Sequence, residues 1–184
     1  MRDIWIISDT HFRHENILKF SDTASGKLIR GNRFTDVDEM DEHMIERWNS
    51  VVKQGDIVYH LGDVLIGDKE WFKKNWPRLN GSKRLTVGNH DDIKFLCSGG
   101  FFQKVYETRQ FSEFGLILSH RPLELGNLLK KKDRSLPWVK DNLETLLNVH
   151  GHIHQNPSPE GPYKNVSVEA INYTPVHIED LRVK

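Results

Sequence analysis

The sequence has one cysteine, Cys97, no surplus of either charge, and no apolar run of membrane length. A single cysteine excludes an internal disulfide and fits a reducing compartment. Lysine plus arginine and aspartate plus glutamate both number 26, so the formal charge is zero and no protein-wide field steers the chain onto nucleic acid. Non-specific duplex binding is disfavoured. The first apolar segment, residues 4–7, is too short for the core of a signal peptide and begins almost at the first residue. These absences predict a soluble, cytoplasmic protein with no membrane partner. With 184 residues and no repeat or linker, one domain spanning 1–184 is expected, without an insertion large enough to form a cap domain.

What the sequence does have is ten histidines, several of them where apolar, β-prone runs stop. The organising stretch is 84–92. Thr86 and Val87 favour a strand, and Gly88 is expected to take the positive φ that turns the backbone out of it. Asn89 and His90 follow as ligand-capable side chains, and Asp91 or Asp92 then caps a helix over 93–96. The same grammar recurs along the chain. A strand over 3–8 ends in Asp9-Thr10-His11-Phe12-Arg13-His14, with a short helix over 15–20 and a polar loop over 21–35. Asp36 and Glu39 form a capping-box pattern, and Met40, Met44, Ile45, Trp48, Val51 and Val52 recur at helical spacing, so 36–53 is a helix. A strand over 56–60 ends in Leu61-Gly62-Asp63-Val64, and a helix around 69–75 stops near Pro77 before the strand over 83–87.

The second half is richer in strands. Segments 104–111 and 115–119 read as strands joined through 112–115, the second delivering His120-Arg121-Pro122. A strand over 146–150 ends in Gly151-His152-Ile153-His154. The basic run 130–134 and the proline-rich 157–162 read as loops, and 165–171 and 175–178 as edge strands.

Collected in order, the strand-end groups are Asp9 and His11, Asp63, Asn89 and His90, His120, then His152 and His154. A lone Asp-x-His or Gly-His-x-His is ordinarily a polar group at a surface. Here Asp9-x-His11, Gly62-Asp63, Gly88-Asn89-His90-Asp91, His120 and Gly151-His152-x-His154 occur together, and in this order the chain resembles the calcineurin-like metallophosphoesterases from residue 4 to about 173. The resemblance implies an α/β fold, a four-layer αββα sandwich of two mixed β-sheets flanked by helices, with two metal ions at the strand ends. It implies Asp9, His11, Asp63 and His154 as ligands of one ion and Asp63, Asn89, His120 and His152 as ligands of the other. His90 is the family's general acid, not a ligand.

The residue chemistry supports the same site. A carboxylate such as Asp63 has two oxygens, one for each ion of a pair, and the Asn89 amide ligates through a neutral carbonyl oxygen. Two divalent ions bring more positive charge than Asp9 and Asp63 remove, and the surplus attracts phosphate. A nitrogen and oxygen donor set without thiolate suits Mn²⁺ first, admits Fe, Zn²⁺ or Ni²⁺, and argues against an all-oxygen Mg²⁺ site. The expected activity is hydrolysis of phosphate mono- or diesters of nucleotides or other small molecules by metal-activated water, with His90 protonating the leaving group.

The sequence departs from the larger phosphatase branch of that family, which carries an arginine after its Gly-Asp motif. Here the residues are Gly62-Asp63-Val64-Leu65. Arg13, Arg33 and Arg121, all near motif loops, are the candidates to contact phosphate instead, and His14 either faces the site or merely starts a helix. The stretch Asp9-Thr10-His11-Phe12-Arg13-His14-Glu15-Asn16-Ile17 resembles small phosphoesterases of bacteria and phages. Two other readings stand beside the first: a nuclease of the same chemistry, for which only the run 130–134 speaks, and a binding scaffold without turnover, against which His90 argues. Of the remaining histidines, His43 and His177 read as solvated or packed, His60 and His150 as buried and neutral.

Overall fold

The computed structural model describes residues 2–22, 25–124 and 146–182; the basic run 130–134 lies outside them. In chain order the strands are β1 (Ile4–Ile7), β2 (Ile57–His60), β3 (Ser82–Thr86), β4 (Lys104–Tyr106), β5 (Thr108–Phe111), β6 (Leu116–Ser119), β7 (Leu147–His150), β8 (Tyr163–Asn165) and β9 (Val176–His177). Among the described residues three α-helices, α1 (Val37–Val51), α2 (Lys69–Asn75) and α3 (Ile93–Ser98), follow β1, β2 and β3. One sheet runs β4-β3-β2-β1-β9, parallel except for β9; the other runs β5-β6-β7-β8, parallel except for β5. Both sheets are therefore mixed, and the α/β sandwich is the one the sequence implies.

Side-chain alternation along the strands builds two cores. Ile7, Val58 and Leu85 point outward, where Met40, Met44 and Trp48 of α1, Phe72 of α2 and Leu96 of α3 cover them. Ile6, Tyr59 and Leu61 point inward, against Leu116, Leu118 and Val149 of the second sheet. Aromatic residues fill the outer layer, with Phe72 stacked on Trp76 at 4.7 Å, and the indole N–H groups of Trp48 and Trp76 donate to the carbonyls of Asn80 and Phe101. At α1, Asp36 caps the helix by accepting from the Glu39 N–H, while the Glu39 carboxylate reaches back to Thr35. The reciprocal bond thus falls one residue before the expected box.

Two strand expectations are corrected. Segment 104–111 is two strands in different sheets: at Glu107 the chain leaves the edge of the first sheet and enters the edge of the second. A continuous strand could not pair with both β3 and β6, which lie in different layers. Likewise 165–171 is not a strand; β8 ends at Asn165, whose Oδ1 accepts from the N–H and Oγ of Ser167 and turns the chain. Beyond Asn165, Val166 N–H still donates to His150 O, and Ser167 then bridges Ser8 at the end of β1 in the first sheet. Among the described residues no helix is long and apolar enough to cross a membrane.

His60 and His150 are both fully buried, as anticipated. His60 Nδ1 accepts from the Gly62 N–H at 3.2 Å, so its hydrogen sits on Nε2, 3.0 Å from Thr10 Oγ1. Burial pushes its pKa down to about 3, with His120 adding to the shift. The sign follows from linkage: the unfolded chain takes up the proton first, so this stability is complete above about 6.5 and is lost as pH falls towards 3. The metal-free protein should lose up to about 1.4 kcal/mol per pH unit through this group, and thermal unfolding between pH 7 and 4 should show a shallower slope in His60→Gln. Equal slopes in the two proteins would mean that His60 does not hold off the proton.

Candidate metal centre

The site is built by loops that leave the carboxyl ends of β1, β2, β3, β6 and β7. The first two remain bonded beyond their strands: Asp9 N–H donates to Gly62 O, His11 N–H to Asp63 O and Phe12 N–H to Val64 O, at 2.9–3.0 Å. Within this frame Asp9, His11, Asp63, His152 and His154 all adopt left-handed backbone, with φ of 59, 47, 54, 70 and 52°. Each such residue costs roughly 1–2 kcal/mol, and such strain gathers where a function requires it.

Two glycines let the loops after β2 and β3 abut. A Cβ on Gly62, whose φ is +94°, would lie 2.3 Å from Gly88 N. One on Gly88 would meet Asp63 N and Oδ1, both at 2.3 Å. Gly88 does not take the positive φ expected of it; close approach, not backbone handedness, requires glycine there. Asp91 locks the contact by accepting from the N–H groups of Asp63, Val64 and Gly88 at 3.1, 2.9 and 2.7 Å. Capping of α3 falls to Asp92, through Phe95 N–H.

On this backbone the side chains form two groups. Asp9, His11 and His154 bring ligand atoms within 4.8 Å of one another, and so do Asp63, His120 and His152. Asp63 Oδ2 lies between them, 3.7 Å from His11 Nε2 and 3.5 Å from His120 Nε2. Its Oδ1 instead accepts from the His90 N–H at 2.8 Å. The expectation of one oxygen per ion is therefore revised: a single oxygen faces both groups. Asn89 Oδ1 completes the second group, 2.8 Å from His120 Nε2.

The donor set fits cations. His120 Nδ1 lies 2.8 Å from the Leu61 carbonyl, which only accepts, so Nδ1 carries the hydrogen. In the neutral ring Nε2 then turns a lone pair towards Asn89 Oδ1 and Asp63 Oδ2. Three converging acceptors repel one another unless a cation sits among them. In the first group, Asp9 Oδ1 and His11 Nε2 are buried with no hydrogen-bond partner. Such atoms are costly to bury unless something coordinates them. Burial pushes the Asp9 carboxyl up, only partly offset by His154, and pushes His11 well below its usual range. A bound divalent ion would remove the first penalty and use the second, because a ligand histidine must be neutral.

Arg30 and Glu169 hold this arrangement from behind. Arg30, with none of its surface exposed, donates to Asp9 O at 2.6 Å, to Thr10 O at 2.8 Å and to Glu169 Oε1 at 2.7 Å. Glu169 Oε1 also lies 2.9 Å from His154 Nδ1. Burial alone would raise the Glu169 carboxyl, but Arg30 and His154 hold it down to about 2, so it accepts the Nδ1 hydrogen and leaves His154 Nε2 free for a metal.

The comparison with known families now has a geometry to rest on. The model of the calcineurin-like phosphoesterases matches residues 2–175. The chain belongs to that family. An uncharacterised protein of Methanocaldococcus jannaschii is 33% identical to this chain over 193 residues, covering 100% of this chain and 91% of its own. The gene 66 protein of Mycobacterium phage L5 is 31% identical, covering 84% of this chain and 78% of its own. Among solved structures, a protein of unknown function from Aquifex aeolicus superposes with a TM-score of 0.64 at 26% identity, over 98% of both chains. The family is metal-dependent, and the two ligand groups lie where its motifs fall.

The structure separates the residues expected from the sequence to contact phosphate. The Arg13 guanidinium bonds Asp38 and Asp41 and lies over Trp71. The Arg33 guanidinium bonds Asn172 Oδ1 at 2.6 Å and lies over Tyr173, bracing that left-handed pair. Arg121 borders a cleft of about 330 Å³ with Asn89 and His120. His14 both starts the short 3₁₀ turn Glu15–Lys19 and faces the site, its ring 5.6 Å from that of His11. Sequence reading missed Arg30, Glu169 and the triple acceptor role of Asp91. For Glu169 there was a signal, a carboxylate alone in the apolar run 166–171; for Arg30 there was none.

Two measurements probe this construction. Asp63→Asn keeps an oxygen for the His90 N–H but puts a neutral amide where Oδ2 faces both groups, so elemental analysis after Mn²⁺ loading should find most of both ions gone; two ions retained would remove Asp63 from the shared position. Asp91→Ala leaves three N–H groups without their acceptor, and thermal unfolding should register a loss of about 3 kcal/mol or more. A loss below about 1 kcal/mol would show that water replaces the carboxylate.

Proposed function

We propose that this phosphoesterase hydrolyses phosphate mono- or diesters of nucleotides or other small molecules, using two divalent transition-metal ions, Mn²⁺ first among them. The observation that carries the reading is Asp63, whose Oδ2 faces both ligand groups while its Oδ1 holds the His90 backbone. Asp9, His11, Asp63 and His154 would hold one ion, and Asp63, Asn89, His120 and His152 the other. Such a pair supplies Lewis acidity at the phosphoryl oxygens and makes water a nucleophile near neutral pH.

The remaining work falls to the chain. Asp63 Oδ1 ties down the His90 backbone N–H, and the His90 ring lies 6.0 Å between centroids from that of His11. His90 is exposed, and we assign it the proton for the leaving oxygen, a role worth roughly 10² to 10⁴ in rate. Arg121, beside Asn89 and His120, is assigned to a phosphoryl oxygen, with His14 on the opposite side. The exposed thiol of Cys97 supports a reducing, cytoplasmic setting.

His90→Ala separates this mechanism from a scaffold. Metal content should stay close to that of the parent, while hydrolysis of an alkyl ester falls by roughly 10² to 10⁴ and that of a nitrophenyl ester falls much less, since nitrophenolate leaves without a proton. Equal losses on the two esters would reject the general-acid role. Lost metal would make His90 a ligand.

A further inference from the structure

Beside the first ligand group lies a chamber of about 370 Å³, within the range of about 300–1,000 Å³ that small-molecule sites occupy. One wall is imidazole: His11, His14, His90 and His154. The facing wall is Ile17, Phe20, Ile29 and Ile66. We propose that this chamber receives the leaving alcohol of the substrate and selects a flat, apolar, ring-bearing one, with Phe20 deciding the preference. The proposal rests on the phosphoesterase reading and deepens it.

Position is the first argument. A group that protonates the leaving oxygen must stand beside it, so the atoms beyond that oxygen go where His90 faces. The chamber is continuous with His90 and His154, so a leaving group there needs no rearrangement. Chemistry is the second. Phe20 lines the chamber yet is 48% exposed, so apolar ring surface there is left to be covered, and its ring stands edge-on to His14 at 5.5 Å. A ring entering the chamber would cover Phe20 and meet both aromatic faces, whereas the hydroxyls of a glycerol or sugar would lose water without a partner on the isoleucine wall. No carboxylate, amide or hydroxyl side chain lines the chamber, so a nucleobase would be covered there without being distinguished from another base. A second concavity that reaches His90, of about 250 Å³, carries the Lys69–Asp92 ion pair and suits a polar arm instead.

The test uses Mn²⁺-loaded protein and two inert probes, benzylphosphonate and ethylphosphonate, titrated by calorimetry. The parent should bind the benzyl compound at least about tenfold more tightly, and Phe20→Ala should bring the ratio near one while leaving ethylphosphonate affinity unchanged. Ile29→Asn, at a second point of the same wall, should reduce the ratio as well. Because Phe20 is half exposed its removal leaves both cores intact, which unchanged metal content and unfolding temperature would verify. Equal affinities in the parent, failure of both probes to bind, or a benzyl preference that survives both substitutions overturns the proposal. Benzyl and ethyl phosphate esters, whose alcohols have similar pKa, are then compared in turnover. Hydrolysis of both without a benzyl preference overturns the chamber assignment and upholds the esterase; a benzyl preference in binding with no hydrolysis of either upholds the chamber and rejects the esterase.

Discussion

Arg30 is the constraint on which the site depends. A guanidinium and a carboxylate taken out of water each cost several kcal/mol, and the pair is tolerated only when hydrogen bonds offset that cost. Here the bonds come from function-bearing groups: Arg30 holds the carbonyls of Asp9 and Thr10, and Glu169 Oε1 holds both Arg30 and the His154 ring, while Glu169 Oε2 is buried without a partner. One cation therefore joins the loop that leaves β1 to the chain beyond β8 and sets the ring orientation of a ligand between them. Lysine could not replace it, since a single ammonium lacks the planar fork that reaches three acceptors at fixed angles.

The site is locally unfavourable in several ways at once. Five left-handed residues, converging lone pairs and two glycine contacts with no room for a side chain all act against folding in the absence of metal. The two cores supply the offset. Trp48, Phe72, Met40 and Ile7 on the helical side, and Tyr59, Leu116 and Val149 between the sheets, are fully buried and lie away from the ligands. Stability and chemistry thus follow one another along the same strands: each strand anchors through its alternating apolar residues, then turns and presents a polar group beyond its carboxyl end.

Much of this was legible because it is local. A strand that stops at a polar residue, a helix with Asp36 at its cap, and pairs such as His152 and His154 are written in consecutive residues, so β1, β2, β3, α1 and α2 fall within a residue or two of where the sequence puts them. What could not be read is set by contacts distant in the chain. The run 104–111 alternates as one strand, and only the positions of β3 and β6 divide it at Glu107. Gly88 looks like a turn glycine, and the reason for it is Asp63, whose N and Oδ1 leave no room for a Cβ. Arg13 and Arg33 sit in motif loops yet bond Asp38 and Asn172, neither of which any motif contains. Arg30 stands in an unremarkable polar loop, and its burial is decided by Glu169, 139 residues away.

The pairing of β1 with β9 also fixes an order of events. Trp5 and Ile6 pair on one side with Val58 and Tyr59, and on the other with His177 and Val176. Asp9 likewise takes the Ser167 hydroxyl, and Ser8 pairs with Ser167. During synthesis on the ribosome, β1 to β4 with their helices can gather before residues 167 and 169 exist, but Asp9 has no Ser167 and Arg30 no Glu169 until the segment beyond β8 has been made. The first candidate ligand group is thus incomplete while the first sheet forms, and a cation held by that group could not guide those early steps.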